Sequence, residues 1–140
     1  MKKKTILVVS GGTSSEREVS IKTGKACSDA IRKLKYKVLN FDPIKDNFKK
    51  IKNYKADLIF NALHGSDGED GVAQSYFEYF KIPYTHSGIL SSMNSMDKII
   101  SKKAFKKYKI RTPAYTELNP INYPNILKEK KILKLGLVYP

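Results

Sequence analysis

The chain has 140 residues, enough for one ordinary domain with a short extension, and 41% of them are hydrophobic, enough to bury a core. Its net charge of +14 invites a nucleic-acid reading, but the arginines are only Arg17, Arg32 and Arg111, and the rest of the positive charge is scattered lysine. Recognition of phosphate and bases recruits the planar arginine fork, so a solvated lysine surface is expected, with no nucleic-acid partner. Cys27 stands alone, which excludes an internal disulfide framework and a thiolate zinc site. No apolar run is long enough to span a membrane, and none is expected to act as a signal peptide.

Strand and helix signals alternate along the chain. Thr5 to Ser10 is β-branched and apolar, the pattern of a strand buried on both faces. Gly11 to Ser15 is a small-residue turn. A helix follows, with Val19, Thr23, Ala26, Ala30 and Leu34 expected on its buried face. Tyr36 to Phe41 reads as a second strand, Lys45 to Lys52 as a short helix, and Ala56 to Leu63 as a third strand. After the glycine-rich run His64 to Gly71, a helix is predicted over Val72 to Phe80, with Val72, Tyr76 and Phe80 on one stripe and Ala73 and Phe77 beside it.

Further helices are expected over Ile89 to Ser95, Met96 to Tyr108 and Ile126 to Leu135, with Thr112-Pro113 and Pro120 to Pro124 as breaks. Such alternation implies an open parallel sheet flanked by helices, an α/β fold. Ligands of open parallel sheets sit outside the carboxyl ends of the strands. Both glycine loops fall there, and they share one crevice if the first and third strands are neighbours.

The first loop, Gly11-Gly12-Thr13-Ser14-Ser15-Glu16-Arg17-Glu18, lacks the glycine spacings of phosphate-binding loops. Its two carboxylates at a helix start would repel phosphate and suit an ammonium group instead. Ser15-x-x-Glu18 has the form of a capping box, which explains Glu18 structurally and leaves Glu16 open between helix-dipole and ligand roles. The second loop, His64-Gly65-Ser66-Asp67-Gly68-Glu69-Asp70-Gly71, holds a histidine and three acids between a strand end and a helix start. Its spacing fits no calcium loop, and no metal is expected there.

These loops carry a resemblance. Gly11 to Ser20 resembles the opening motif of D-alanine–D-alanine ligases. His64 to Ser75 resembles that family's H-G-x-x-G-E-D-G signature followed by glutamine. Ile82-Pro83-Tyr84-Thr85 with Ser87-Gly88, and then Met96-Asp97-Lys98, continue the pattern in order. One departure is His86, where the family usually has glycine. The resemblance is strong from Thr5 to Pro113 and thin beyond.

The resemblance implies a Rossmann-like domain preceding an ATP-grasp domain, with residues 1–120 forming the substrate-binding domain and 121–140 opening the ATP-grasp part. It implies ATP-dependent joining of two D-alanines through an acyl phosphate, for peptidoglycan precursor synthesis in the cytoplasm, by a homodimer using ATP and Mg2+. Glu16 and His64 are then the catalytic residues, the first holding the ammonium of the first D-alanine and the second flanking its carboxylate. Glu69 and Ser15 complete the substrate set, and Lys98 reaches the nucleotide phosphates. The principal ATP and magnesium ligands are expected outside this chain, which would make it inactive alone, as a fragment of a longer reading frame or a truncated product. The alternatives are a ligase joining D-alanine to D-lactate or D-serine, and a non-catalytic small-ligand binding module.

Overall fold

The computed structural model describes residues 3–117. By internal contacts the chain forms two compact units, Met1–Asp97 and Lys98–Pro140. The expected boundary at residue 120 and the helix expected over Ile126 to Leu135 lie outside the described residues.

In the first unit, three parallel strands stand in the order β2-β1-β3: β1 (Thr5–Val9), β2 (Lys37–Phe41) and β3 (Leu58–Asn61). Leu7 is in register with Leu39 on one side and Ile59 on the other. The central strand is apolar at successive positions because both of its faces are covered. Leu7 and Val9 point into a core with Phe41, Ile51, Ile59, Leu63, Ala73 and Phe77, while Ile6 and Val8 join Ile31 and Ala62 on the opposite face. A further piece of chain pairs alongside β3, where Ile59 and Tyr84 form an isolated parallel bridge. The amide of Ile59 donates to the Pro83 carbonyl at 2.8 Å.

Helix α1 (Arg17–Lys33) returns the chain from β1 to β2 and packs against both strands. Its buried face differs from the apolar stripe expected from the sequence. Ser20, Gly24, Ser28 and Ile31 face the sheet, whereas Val19 is 51% and Leu34 70% exposed. The reason is close approach. A Cβ added at Gly24 would run into the side chain of Ser10, so the helix sits where only small residues fit. The buried hydroxyls are satisfied across the interface: Ser28 Oγ donates to Asn40 Oδ1 at 2.8 Å and Ser20 Oγ to the Ala62 carbonyl at 2.7 Å.

Between β2 and β3 the chain forms a 3₁₀ helix, Phe48–Tyr54, rather than the expected helix from Lys45. The backbone from Lys45 to Asp46 is instead tied into a turn by the Asp42 carbonyl. Asn47 then caps the 3₁₀ helix, accepting from the amide of Lys49 at 2.9 Å. Helix α2 (Val72–Tyr79) follows the second glycine loop and buries Ala73, Gln74 and Phe77. The stripe predicted through Val72 is therefore rotated, with Val72 itself 40% exposed. Helix α3 (Ile89–Met96) closes the first unit, burying Ser92.

In the second unit, α4 (Lys98–Lys107) begins after Asp97 and buries none of its residues. Lys109 takes a left-handed conformation, φ 55°, and the amide of Ile110 donates to the Phe105 carbonyl at 2.8 Å, which stops the helix. The Lys102 ammonium donates to Thr112 Oγ1 and to the Pro113 carbonyl, fastening the extended segment that follows.

Candidate functional site

The carboxyl ends of β1 and β3 are adjacent, so the loops that leave them meet. The first loop is held by its backbone. Gly11 and Gly12 have φ of 93° and 78°, angles that side-chain-bearing residues resist. The amide of Gly11 donates to Ser20 Oγ at 2.8 Å, and Ser20 in turn donates to the Ala62 carbonyl at the end of β3. One buried hydroxyl thus couples the two strand ends.

Asp42, just beyond β2, fixes the same loop from the other side. Its Oδ1 accepts from the amide of Gly12 at 3.1 Å, while Arg17 donates to both of its carboxylate oxygens at 3.0 and 2.7 Å and to the Gly12 carbonyl at 2.8 Å. Burial pushes the Asp42 carboxyl up, but the bonds from Arg17 and from the amides of Gly12 and Ile44 outweigh it, so Asp42 sits below its ordinary 3.8. The hydrogen bond to Asp42 in turn raises Arg17 above its usual value.

The capping box expected at Ser15 and Glu18 does not form. Glu16 occupies the cap position with no side-chain cap bond, and the buried Ser14, not Ser15, turns its hydroxyl inward to accept from the amide of Glu16 at 3.0 Å. A Ser14 hydroxyl already satisfied two residues on holds the turn locally and leaves Ser15 exposed. Released from capping, the Glu16 carboxylate lies over the second loop: a Cβ added at Gly65 would stand 3.4 Å from Glu16 Oε1 and would run into Ser14 Oγ. Gly65 itself has φ 70°.

In the second loop His64 is the pivot. Its Nε2 is 3.1 Å from Thr23 Oγ1 on α1, and its Nδ1 is 3.6 Å from Glu69 Oε1. Thr13 Oγ1 donates to Asp67 Oδ2 at 2.7 Å, a direct tie between the loops. Asp70 serves the backbone, accepting from the amides of Asp67 and Val72. The Gly68 carbonyl accepts from Asn61 Nδ2 at 3.0 Å and from Gln74 Nε2 at 2.8 Å, which anchors the loop's middle to β3 and α2. Of the sequence-derived set, Glu16, His64 and Glu69 come together at one rim, Ser15 lies exposed on the first loop, and Lys98 opens α4 in the second unit.

The fold and the loops have counterparts. Residues 40–87 match the family model described as the D-ala D-ala ligase N-terminus. The D-alanine–D-alanine ligase of Pelagibacter ubique is 48% identical over 137 residues, covering 98% of this chain and 44% of the relative. That of Moorella thermoacetica is 42% identical over 135 residues, 94% of this chain and 44% of the relative. The crystal structure of D-alanine–D-alanine ligase from Bacillus anthracis complexed with ATP aligns with a TM-score of 0.79 at 35% identity, covering 94% of this chain and 44% of that one. In sequence and in fold the chain is similar to the amino-terminal part of D-alanine–D-alanine ligases.

It spans 44% of the length of these relatives. The family match through the second loop, together with the strand order, bears out the parallel-sheet fold. The departure at His86 also has a physical description. His86 holds φ 77°, a left-handed angle natural to glycine, and its ring is occupied by Thr85 Oγ1 at 2.8 Å and by the edge of Phe60 at 5.6 Å between centroids.

Sequence reasoning missed Asp42, Ser14, Ser20 and Thr23. Asp42-Pro43 at a strand's carboxyl end was a readable signal, whereas the hydroxyl contacts depend on packing between distant segments. Among the described residues no group of three or more His, Cys, Asp or Glu side chains is placed to hold a metal ion, and no helix is long and apolar enough to cross a membrane.

Proposed function

We propose that this chain supplies the first-substrate wall of an ATP-dependent ligase that joins two D-alanines. The observation that carries this reading is the meeting of Glu16 and Gly65, with His64 beside them, on a rim that both loops build. An amino acid is a small zwitterion. The Glu16 carboxylate offers a partner for its ammonium, and the His64 ring flanks its carboxylate, where negative charge develops. Glu69, facing His64 Nδ1 at 3.6 Å, supports that ring. Ser15 lies on the same loop as Glu16 and has an exposed hydroxyl within the substrate set.

In the reaction, ATP phosphorylates the first carboxylate, and the amine of a second D-alanine attacks the acyl phosphate, expelling phosphate. Lys98 would reach the nucleotide phosphates as a compact positive charge. A lysine in the first turn of α4 opposes the helix dipole, so helix stability does not explain it. The described residues do not fit a Mg2+ site. The ATP and Mg2+ ligands of the full reaction, the domain boundary near residue 120, the cytoplasmic setting and a homodimeric assembly belong to the same proposal.

The test uses the full-length product of the gene. With ATP and D-alanine it should release phosphate and form the dipeptide, and it should do so faster than with D-lactate or D-serine as the second substrate. Glu16→Gln should raise KM for the first D-alanine about ten- to hundredfold, the worth of one hydrogen bond to a charged group. Calorimetric D-alanine binding without ATP-dependent phosphate release would favour a binding module instead, and an unchanged KM would remove Glu16 from the site.

A further inference from the structure

Helix α1 starts at the first loop and reaches back to the second through Thr23. Thr23 lies on the half-buried flank of α1, and its Oγ1 sits 3.1 Å from His64 Nε2 in a partly buried bond spanning 41 residues of sequence. The opposite ring nitrogen faces the Glu69 carboxylate. The imidazole is therefore engaged at both ends by groups of different character. A carboxylate can only accept a hydrogen bond, whereas a hydroxyl can donate or accept. In the neutral ring the single proton belongs on Nδ1, where the carboxylate stabilises it. Nε2 is then an acceptor, and the Thr23 hydroxyl donates to it. A histidine side chain free in water prefers the opposite tautomer, with the proton on Nε2, so the surroundings of His64 reverse the ring's own preference.

We infer that Thr23 is a positioning residue for His64: with Glu69 favouring the Nδ1–H tautomer, the Thr23 hydroxyl donates to the bare Nε2 and holds the ring at the rim between α1 and the second loop. The consequence for substrate rests on the proposed reading of His64, whereas the tautomer does not. Which nitrogen carries the proton sets which edge of the ring can offer an N–H, as in any site where a histidine's second nitrogen is fixed by a neighbour.

The chain has two histidines, His64 and His86, so the ring nitrogens can be assigned without ambiguity. Long-range proton–nitrogen correlation spectra of the labelled chain, recorded where both rings are neutral, read the tautomer directly. His64 should show the Nδ1–H pattern in the wild type and in Thr23→Ser, whereas Thr23→Val, which keeps the β-branched shape and loses the hydroxyl, should move the bare Nε2 resonance downfield, the mark of a lost hydrogen bond. His86 serves as the internal reference and should not change. A His64 Nε2 resonance unaltered in Thr23→Val overturns the inference. Should that variant fail to fold, the wild-type spectrum decides, because an Nε2–H pattern at His64 is enough to reject the assignment. In the full-length gene product, Thr23→Val should lower turnover at saturating D-alanine about fivefold, the worth of one neutral hydrogen bond, and Thr23→Ser should restore it. A wild-type product with no D-alanine-dependent activity would sink the ligase reading and leave the tautomer result standing.

Discussion

The two helices that leave the glycine loops rest on the sheet in opposite ways. Helix α1 comes in close, through Ser20, Gly24 and Ser28, and its loop is clamped by the Arg17–Asp42 charge pair. Helix α2 is less than half as long and buries Phe77 completely, and its loop is held by the neutral amides of Asn61 and Gln74. The difference separates two tasks. Under the second loop, apolar volume supplies stability. Under the first loop, steric closeness and charge supply position, and the carboxylate of Glu16 is set by them rather than by a helix cap. The rim needs both, since Gly65 can approach Glu16 only if α1 and the β3 end are each in place.

This contrast can be broken from either side. The largest effect is expected from Phe77→Ala, which empties the core beneath α2 and should cost about 3–5 kcal/mol of unfolding free energy, read as a lowered urea midpoint. Gly24→Val attacks the close approach instead. Its Cβ meets Ser10, and the strain should cost about 1–3 kcal/mol despite the loss of a flexible glycine from a helix. A variant as stable as the wild type would show that α1 is free to stand farther from the sheet. A smaller, pH-dependent effect is expected from Asp42→Asn. Because the folded-state pKa of Asp42 is depressed, its charge contributes stability that is fully present above the ordinary value of 3.8. That contribution is lost as pH falls through the lower folded-state value. Thermal melts should therefore show the variant less stable than wild type near neutrality, with the gap closing in acid. The smallest effect belongs to Tyr84, pushed up to about 12 by burial and by its 2.6 Å bond to Glu78. Folding favours its protonated form, so the contribution is full below the ordinary value of 10 and fades as pH rises through about 12. Tyr84→Phe should lack this contribution near neutrality, and its deficit against the wild type should close as pH rises through about 12, which paired alkaline denaturation curves would register.

Much of this architecture is legible in the residues. The unbroken apolar run of β1 announces a strand covered on both faces, and the glycine loops mark the strand ends that matter. The buried face of α1 was not legible by hydrophobicity, because close packing against the sheet selects small side chains, and two of those are serines whose hydroxyls find distant partners. Val19 and Leu34 are apolar yet exposed for the same geometric reason. The Ser15–Glu18 pattern misled because Ser14 satisfies the local backbone first. Asp42 and Thr23 lie far in sequence from the groups they hold, and no local spacing points from one to the other.

The central claim is that one small zwitterion is gripped jointly by both loops. Backbone amide shifts of the full-length gene product titrated with D-alanine test it most directly. Glu16, Thr23, His64 and Gly65 should move together along a single saturation curve, with no matching response to L-alanine. Separate curves for the two loops, or a response confined to one of them, would contradict the account.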